Sequence, residues 1–213
     1  MYFIDVDAVC KLAHWDILSH LPDLLGCTWS EIATVSSLRY RAQRASENPD
    51  GKLFRSSVAA LTVVECMAKM SAMPVPDASV LKDLNGIAQV DPGEAVLIAV
   101  TLGDPAGMFI TGDKRALRAV AQHPLATRLA GKIALVEQVL ALCLSQKGRE
   151  WLLTCIREHR AIDKAIAMIV GSGCDASLED LSAGLSSYIG EISNLCEPSM
   201  IANDITVNRT PTA

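Results

Sequence analysis

The sequence predicts an α/β fold: a three-layer α/β/α arrangement around a mostly parallel central sheet, followed by a C-terminal helical extension. Three observations predict it. Short apolar runs of strand length alternate with longer runs of helical period up to about residue 145, the pattern of parallel strands joined by covering helices. Past about residue 146 the strand pattern stops and only helical period remains. The composition is half apolar but only 4% aromatic, and such an aliphatic supply suits buried strands and helices. At 213 residues the chain is long enough for one sizeable domain and an addition to it. The expected organisation is a domain over residues 1–145, a helical extension over 146–196 and a flexible tail over 197–213.

The elements follow in order. Tyr2–Val6 is a short buried strand. Val9, Leu12, Trp15, Leu18 and Leu21 then recur at helical spacing, and Pro22 and Gly26 mark a break and a stop. Ile32–Val35 is a second strand, and Ser36–Ser46 a helix. Asn48-Pro49-Asp50-Gly51 has turn chemistry. Phe54–Met73 is a long apolar helix ended by Pro74 and Pro76, and Ala78–Gly86 a shorter one. Asp91 and Pro92 are suited to the cap and first position of a helix that runs to about Thr101. Met108–Thr111 is a strand backed by a helix over Asp113–Ala121. Pro124–Leu129 is a helical turn, Lys132–Val136 the last strand, and Gln138–Leu144 the helix after it. Gly148–Val170 and Ala176–Leu195 are two helices of the extension, joined by Gly171-Ser172-Gly173.

Several classes are disfavoured. The net charge is −5, so a nucleic-acid partner must meet a local basic patch rather than a basic whole. The seven cysteines are odd in number and lack Cys-x-x-Cys spacing, which reads as buried reduced thiols in a cytoplasmic protein rather than disulfides or zinc. The opening residues lack the basic and apolar regions of a signal peptide, and no run approaches the ~18 apolar residues of a membrane span. Cys10 and His14 stand one turn apart but have no further ligands, so core packing is their reading. The glycines at 103 and 107 lack the Lys-Ser/Thr of a phosphate loop.

In an open parallel sheet, ligands bind beyond the carboxyl ends of the strands. Asp5 and Asp7 stand at the end of the first strand, Asp113 just past the end of Met108–Thr111, and Glu94 in the first turn of the preceding helix. Converging there, these carboxylates repel one another unless a cation intervenes, and a hard divalent ion with oxygen ligands, Mg²⁺ or Mn²⁺, fits such donors. Each acid taken alone also suits a helix start. Arg39, Arg41 and Arg44, with Tyr40 among them, and Lys114, Arg115 and Arg118 are candidate basic faces for phosphate contacts and base stacking; an ordinary solvated helix face is the alternative.

Four segments in order, spanning about Met1 to Leu144, resemble the PIN-domain nucleases. Phe3-Ile4-Asp5-Val6-Asp7 is similar to the family's opening strand and acid. Asp91-Pro92-Gly93-Glu94-Ala95 resembles the Gly-Glu-Ala helix of one subgroup, Thr111-Gly112-Asp113 the Thr-x-Asp motif after the fourth strand, and Gly131–Leu140 the last strand and helix. The resemblance implies a metal-dependent endoribonuclease in which Asp5, Glu94 and Asp113 are the catalytic, metal-binding acids and Asp7 an accessory. It also implies the toxin of a toxin–antitoxin or defence system, with RNA as substrate. An antitoxin or other protein on the helical extension, or a second copy of the chain, is an expected partner. Where the family usually places a Glu after the second strand this chain has Ser37-Leu38-Arg39-Tyr40. A catalytically degenerate PIN-like module that binds a protein or nucleic acid is therefore the alternative.

Overall fold

The computed structural model describes residues 1–196 and 200–206. Four strands, β1 (Tyr2–Ile4), β2 (Ile32–Ala33), β3 (Met108–Thr111) and β4 (Ile133–Leu135), form one sheet in the order β2-β1-β3-β4. All pairings are parallel, with Phe3 opposite Ala33 and Phe109, and Ile110 opposite Ala134. The strands are buried on both faces, which is why they read as unbroken apolar runs.

Alternation along the strands divides the core. Tyr2, Ile4, Ile110 and Ala134 face one layer, packed by helices α1 (Val6–His14), α3 (Ser37–Glu47), α4 (Ser57–Met67) and α8 (Val136–Lys147). Phe3, Phe109, Ile133 and Leu135 face the other, packed by α5 (Ala78–Asn85), α6 (Pro92–Gly103) and α7 (Lys114–Ala121). The short α2 (Leu21–Leu25) follows α1 and ends at Gly26, whose φ of +69° supplies the left-handed exit. Among the described residues, no helix is long and apolar enough to cross a membrane.

The extension comprises α9 (Arg149–Ile156), α10 (Lys164–Val170) and α11 (Leu178–Leu195). It is built into the core. Leu152, Leu153, Ile166, Leu181 and Leu185 enter the first layer and Ile192 of α11 enters the second. The Trp15 indole N–H donates to the His159 carbonyl at 3.2 Å.

Four expectations change. The periodic run after β1 is split because Asp16 adopts φ +54° and ends the first helix at His14. The long apolar helix over 54–73 shortens to α4, where the Ser56 hydroxyl accepts from the Ala59 N–H. The expected helix over 148–170 is broken by a 3₁₀ stretch, Arg157–Ile162, with a kink at His159. The described part of the expected tail, residues 200–206, is packed instead of free. Ile201 pairs in parallel with Ile133, the Ile133 N–H donates to the Met200 carbonyl at 2.9 Å, and the Tyr2 hydroxyl donates to the Ile205 carbonyl at 2.8 Å. Met200 and Ile201 are apolar and cover β4, a short pattern that polar neighbours hide in the sequence. The remaining tail residues, 197–199 and 207–213, lie outside the described residues.

Candidate functional site

β1 and β3 are adjacent central strands, so their carboxyl ends set Asp5 and Asp113 at the same edge of the sheet. The Asp5 N–H donates to the Ile110 carbonyl at 2.9 Å, continuing the β1–β3 pairing and fixing the residue. Asp5 then turns into α1 without making a side-chain cap, although it is only 6% exposed. Among the described residues no cation pairs with it. Burial first, then the charges of Asp7, Asp91 and Asp113, push its carboxyl up to about 7 against the hydrogen bond from Val6.

Glu94 is placed by a reciprocal cap at the start of α6. Asp91 Oδ1 accepts from the Glu94 N–H at 2.8 Å, and Glu94 Oε2 accepts from the Asp91 N–H at 2.9 Å. Its carboxyl is buried and also pushed up to about 7, mainly by that burial, with Asp5, Asp91 and Asp113 adding to it.

Asp113 differs. It caps α7, its Oδ1 accepting from the Arg115 and Ala116 N–H groups at 2.7 and 3.1 Å, and its Oδ2 lies 3.0 Å from the Arg115 guanidinium. Partial burial pulls its carboxyl up, but the Arg115 side chain and the two amides outweigh it and hold it below the usual range. Asp7 is the most exposed of the four and lies 2.7 Å from the Lys11 ammonium, which also reaches Asp163 at 2.8 Å.

Asp5, Glu94 and Asp113 thus share one field, while Asp7 leans to one side on Lys11. Among the described residues, no group of three His, Cys, Asp or Glu residues is placed so that it could hold a metal ion. The chemistry of the donors does suit a hard divalent cation: all are carboxylates, and the two most buried, Asp5 and Glu94, lie in no ion pair among the described residues.

A cleft of about 570 Å³ opens beside Asp7 and Asp113, walled by these two, Gly112 and Glu137 from the sheet end and by Asp163–Ile166 from the extension; Asp5 and Glu94 do not line it. A Cβ at Gly112 would stand 3.3 Å from the Lys11 ammonium and 3.5 Å from Val136, so a side chain there would crowd the wall. Lys114 and Arg115 line the cleft but are engaged, Lys114 with Glu137 at 3.0 Å and Arg115 with Asp113.

Arg39, Tyr40, Arg41 and Arg44 are all exposed on α3. They do not line this cleft; Arg41 and Arg44 border a separate hollow of about 320 Å³ beside Asn48 and Asp50. Arg118 is paired with Glu191 of α11 at 3.4 Å.

Sequence reasoning missed Lys11, Glu137, Asp163 and Tyr188. Glu137 stands two positions past the last strand, as Asp113 does past β3, so the strand-end rule that selects Asp113 selects it too. Asp163 and Tyr188 arrive from the extension, and no local pattern announces them. The cysteines described are all free thiols, and burial pushes Cys66 and Cys155 up to about 11, which leaves them unreactive at neutral pH. No family model matches the chain, and no curated protein or solved structure is detectably similar to it.

Proposed function

We propose that the chain is a metal-dependent endoribonuclease of PIN type, acting at the end of the sheet that carries Asp5, Glu94 and Asp113. The observation that carries this reading is the pair of buried carboxyls, Asp5 and Glu94, both pushed up to about 7 by burial and by neighbouring acids. Glu94 serves the fold through its cap on α6, but Asp5 makes no cap and no ion pair among the described residues, so its burial argues for a positively charged ligand.

Asp5, Glu94 and Asp113 would hold Mg²⁺ or Mn²⁺, with Asp7 as an accessory. Such a cation, when bound, supplies Lewis acidity at a phosphoryl oxygen and lowers the pKa of bound water. The chain's own residues do the rest. The amides at the start of α7 fix the Asp113 carboxylate, the reciprocal cap fixes Glu94, and the β1–β3 pairing fixes Asp5. Lys114 and Arg115, on the cleft wall, orient the phosphates of the strand. A place as the toxin of a toxin–antitoxin or defence pair, in the cytoplasm, belongs to the same reading.

A catalytically silent binding module is the second reading. It is favoured by the exposed Arg39 and Tyr40 on α3, where the resemblance calls for a Glu. The deciding experiment is cleavage of labelled single-stranded RNA and structured tRNA in Mn²⁺, Mg²⁺ or EDTA, by wild type and by Asp113→Asn, which keeps the helix cap. Metal-dependent cleavage that falls about 10²-fold or more in the variant is the expected result. A folded wild type that cuts nothing in any metal transfers the conclusion to the binding module.

A further inference from the structure

Three cations line the cleft: Lys114, Arg115 and Lys164. Two of them hold carboxylates. Arg115 lies 3.0 Å from Asp113, and Lys114 lies 3.0 Å from Glu137, with the Tyr188 ring 4.4 Å from its ammonium. The other acids on the walls, Asp7 and Asp163, share the Lys11 ammonium. Because one cation serves two acids there, Lys164 is left over. It is exposed, and its side chain makes no ion pair or hydrogen bond among the described residues. Its backbone is nevertheless fixed. Asp163, the residue before it, caps α10 by accepting from the Ala165 and Ile166 N–H groups at 2.9 and 3.2 Å, and its other oxygen is tied to Lys11 of α1. Ile166, two residues on, is buried in the first core layer. The extension thus sets one free ammonium at a fixed place on the wall of the cleft.

We propose that Lys164 binds a backbone phosphate of the strand in the cleft, which makes the helical extension part of the substrate-binding surface. This inference rests on the reading of the cleft as the place where the strand lies. An anion that enters meets a different response from each cation. Drawing Lys114 away would leave Glu137, which is 4% exposed, as an uncompensated buried charge. Drawing Arg115 away would uncover Asp113. Both therefore offer a phosphate only the charge that their carboxylates leave, whereas Lys164 offers all of its own. An ammonium on a four-carbon stem is a compact point charge with three rotatable donors, which suits phosphate oxygens and is indifferent to the base. The chain as a whole carries a net charge of −5, and Asp7, Asp113, Asp163 and Glu137 line the same walls, so a polyanion is held only where positive charge is locally in excess. The unpaired ammonium is such a place.

The test is equilibrium binding of a labelled single-stranded RNA, by fluorescence anisotropy, from about 50 to 200 mM salt. The full chain carries Asp113→Asn and Mg²⁺ is present, so that the strand stays whole. A residue that neutralises one phosphate of a single strand adds about 0.7 to the steepness of log affinity against log salt. Lys164→Gln should flatten the slope by about that amount and weaken binding about three- to tenfold at the lowest salt, while Lys164→Arg keeps both near the parent. The melting temperature should stay in place, because the exposed side chain holds nothing in the fold. Lys82→Gln makes the same change of net charge on α5, away from the cleft lining, and should leave slope and affinity as they were. A slope that Lys164→Gln does not change overturns the inference. So does an equal fall with Lys82→Gln, which would trace the effect to overall charge, and so does a parent chain that binds no RNA. The nuclease reading fails by a different result: a wild type that cuts nothing while Lys164 still sets the slope.

Discussion

Asp5 and Glu94 carry a pH signature with a definite sign. Their ordinary values are 3.8 and 4.5, and in the fold both stand at about 7. Between those limits the native state keeps protons that the unfolded chain has released, so raising the pH lowers stability, and the full penalty is present above about pH 7. Each group contributes about 2–4 kcal/mol, and because they are coupled the two do not simply add. Metal-free protein should therefore lose thermal stability from about pH 4.5 to 7, and Asp5→Asn should remove much of that loss. Millimolar Mn²⁺ should raise the melting temperature at pH 8 and hardly at pH 5, where the carboxyls hold protons; equal effects at both would count against a metal on these residues. Lys11 gives a second expectation. Its ammonium is largely buried between Asp7 and Asp163, whose charges outweigh burial and hold it above the usual lysine range. Lys11→Met should cost about 1–3 kcal/mol, read by urea denaturation, because it leaves two acids facing each other. The places of Asp5, Glu94 and Asp113 follow from local rules, a strand end and a helix start, so they were legible. The role of Lys11 was not, because its second partner lies 152 positions further along the chain.

At the scale of elements, caps were the most readable signals. Asp91 with Pro92, and Asp113, each begin the helix that their side chains suggest, because a cap is decided within four residues. Asp91→Ala should destabilise by about 1–2 kcal/mol and weaken cleavage as well, since the same bond that starts α6 orients Glu94; a change in melting temperature with unaltered turnover would separate the two roles. The turn between α6 and β3 depends on Gly107. A Cβ there would fall 2.9 Å from the Thr101 carbonyl oxygen and from the Asp104 Cβ, contacts that backbone cannot relieve. Gly107→Ala should lower the melting temperature by about 3–8 °C. Helix lengths were less legible than helix starts. Apolar period continues through residues 15–21, but the left-handed Asp16 turns the chain, and that conformation is set by tertiary packing of the fully buried Trp15 and Ile17.

For the whole molecule, the alternation of strands and helices through residue 145 corresponds to the four-stranded parallel sheet and its two covering layers. What the sequence left open was whether the extension packs on the domain or on a partner, and the fold puts its apolar residues in the core. Helices α9 to α11 look amphipathic wherever they pack, and only the fold reveals that Lys11, Trp15 and α8 receive them. A chain cut after Lys147 would expose apolar faces of α1 and α8 and leave Lys11 without Asp163. Such a fragment should show no cooperative thermal transition, whereas the full chain should unfold in one.

The Tyr2 hydroxyl reaches the Ile205 carbonyl across 203 positions. Closing so long a loop adds little entropy beyond that of a moderate one, but contacts of this span are slow to find. During synthesis the first strand leaves the ribosome while the segment that will seat its tyrosine has yet to be translated. Of the four strands, the one that emerges earliest is thus completed latest. A nascent chain of this protein would hold β1 unfinished until translation has passed α11, so a site at the end of that strand could be completed only once nearly all of the described fold has been made.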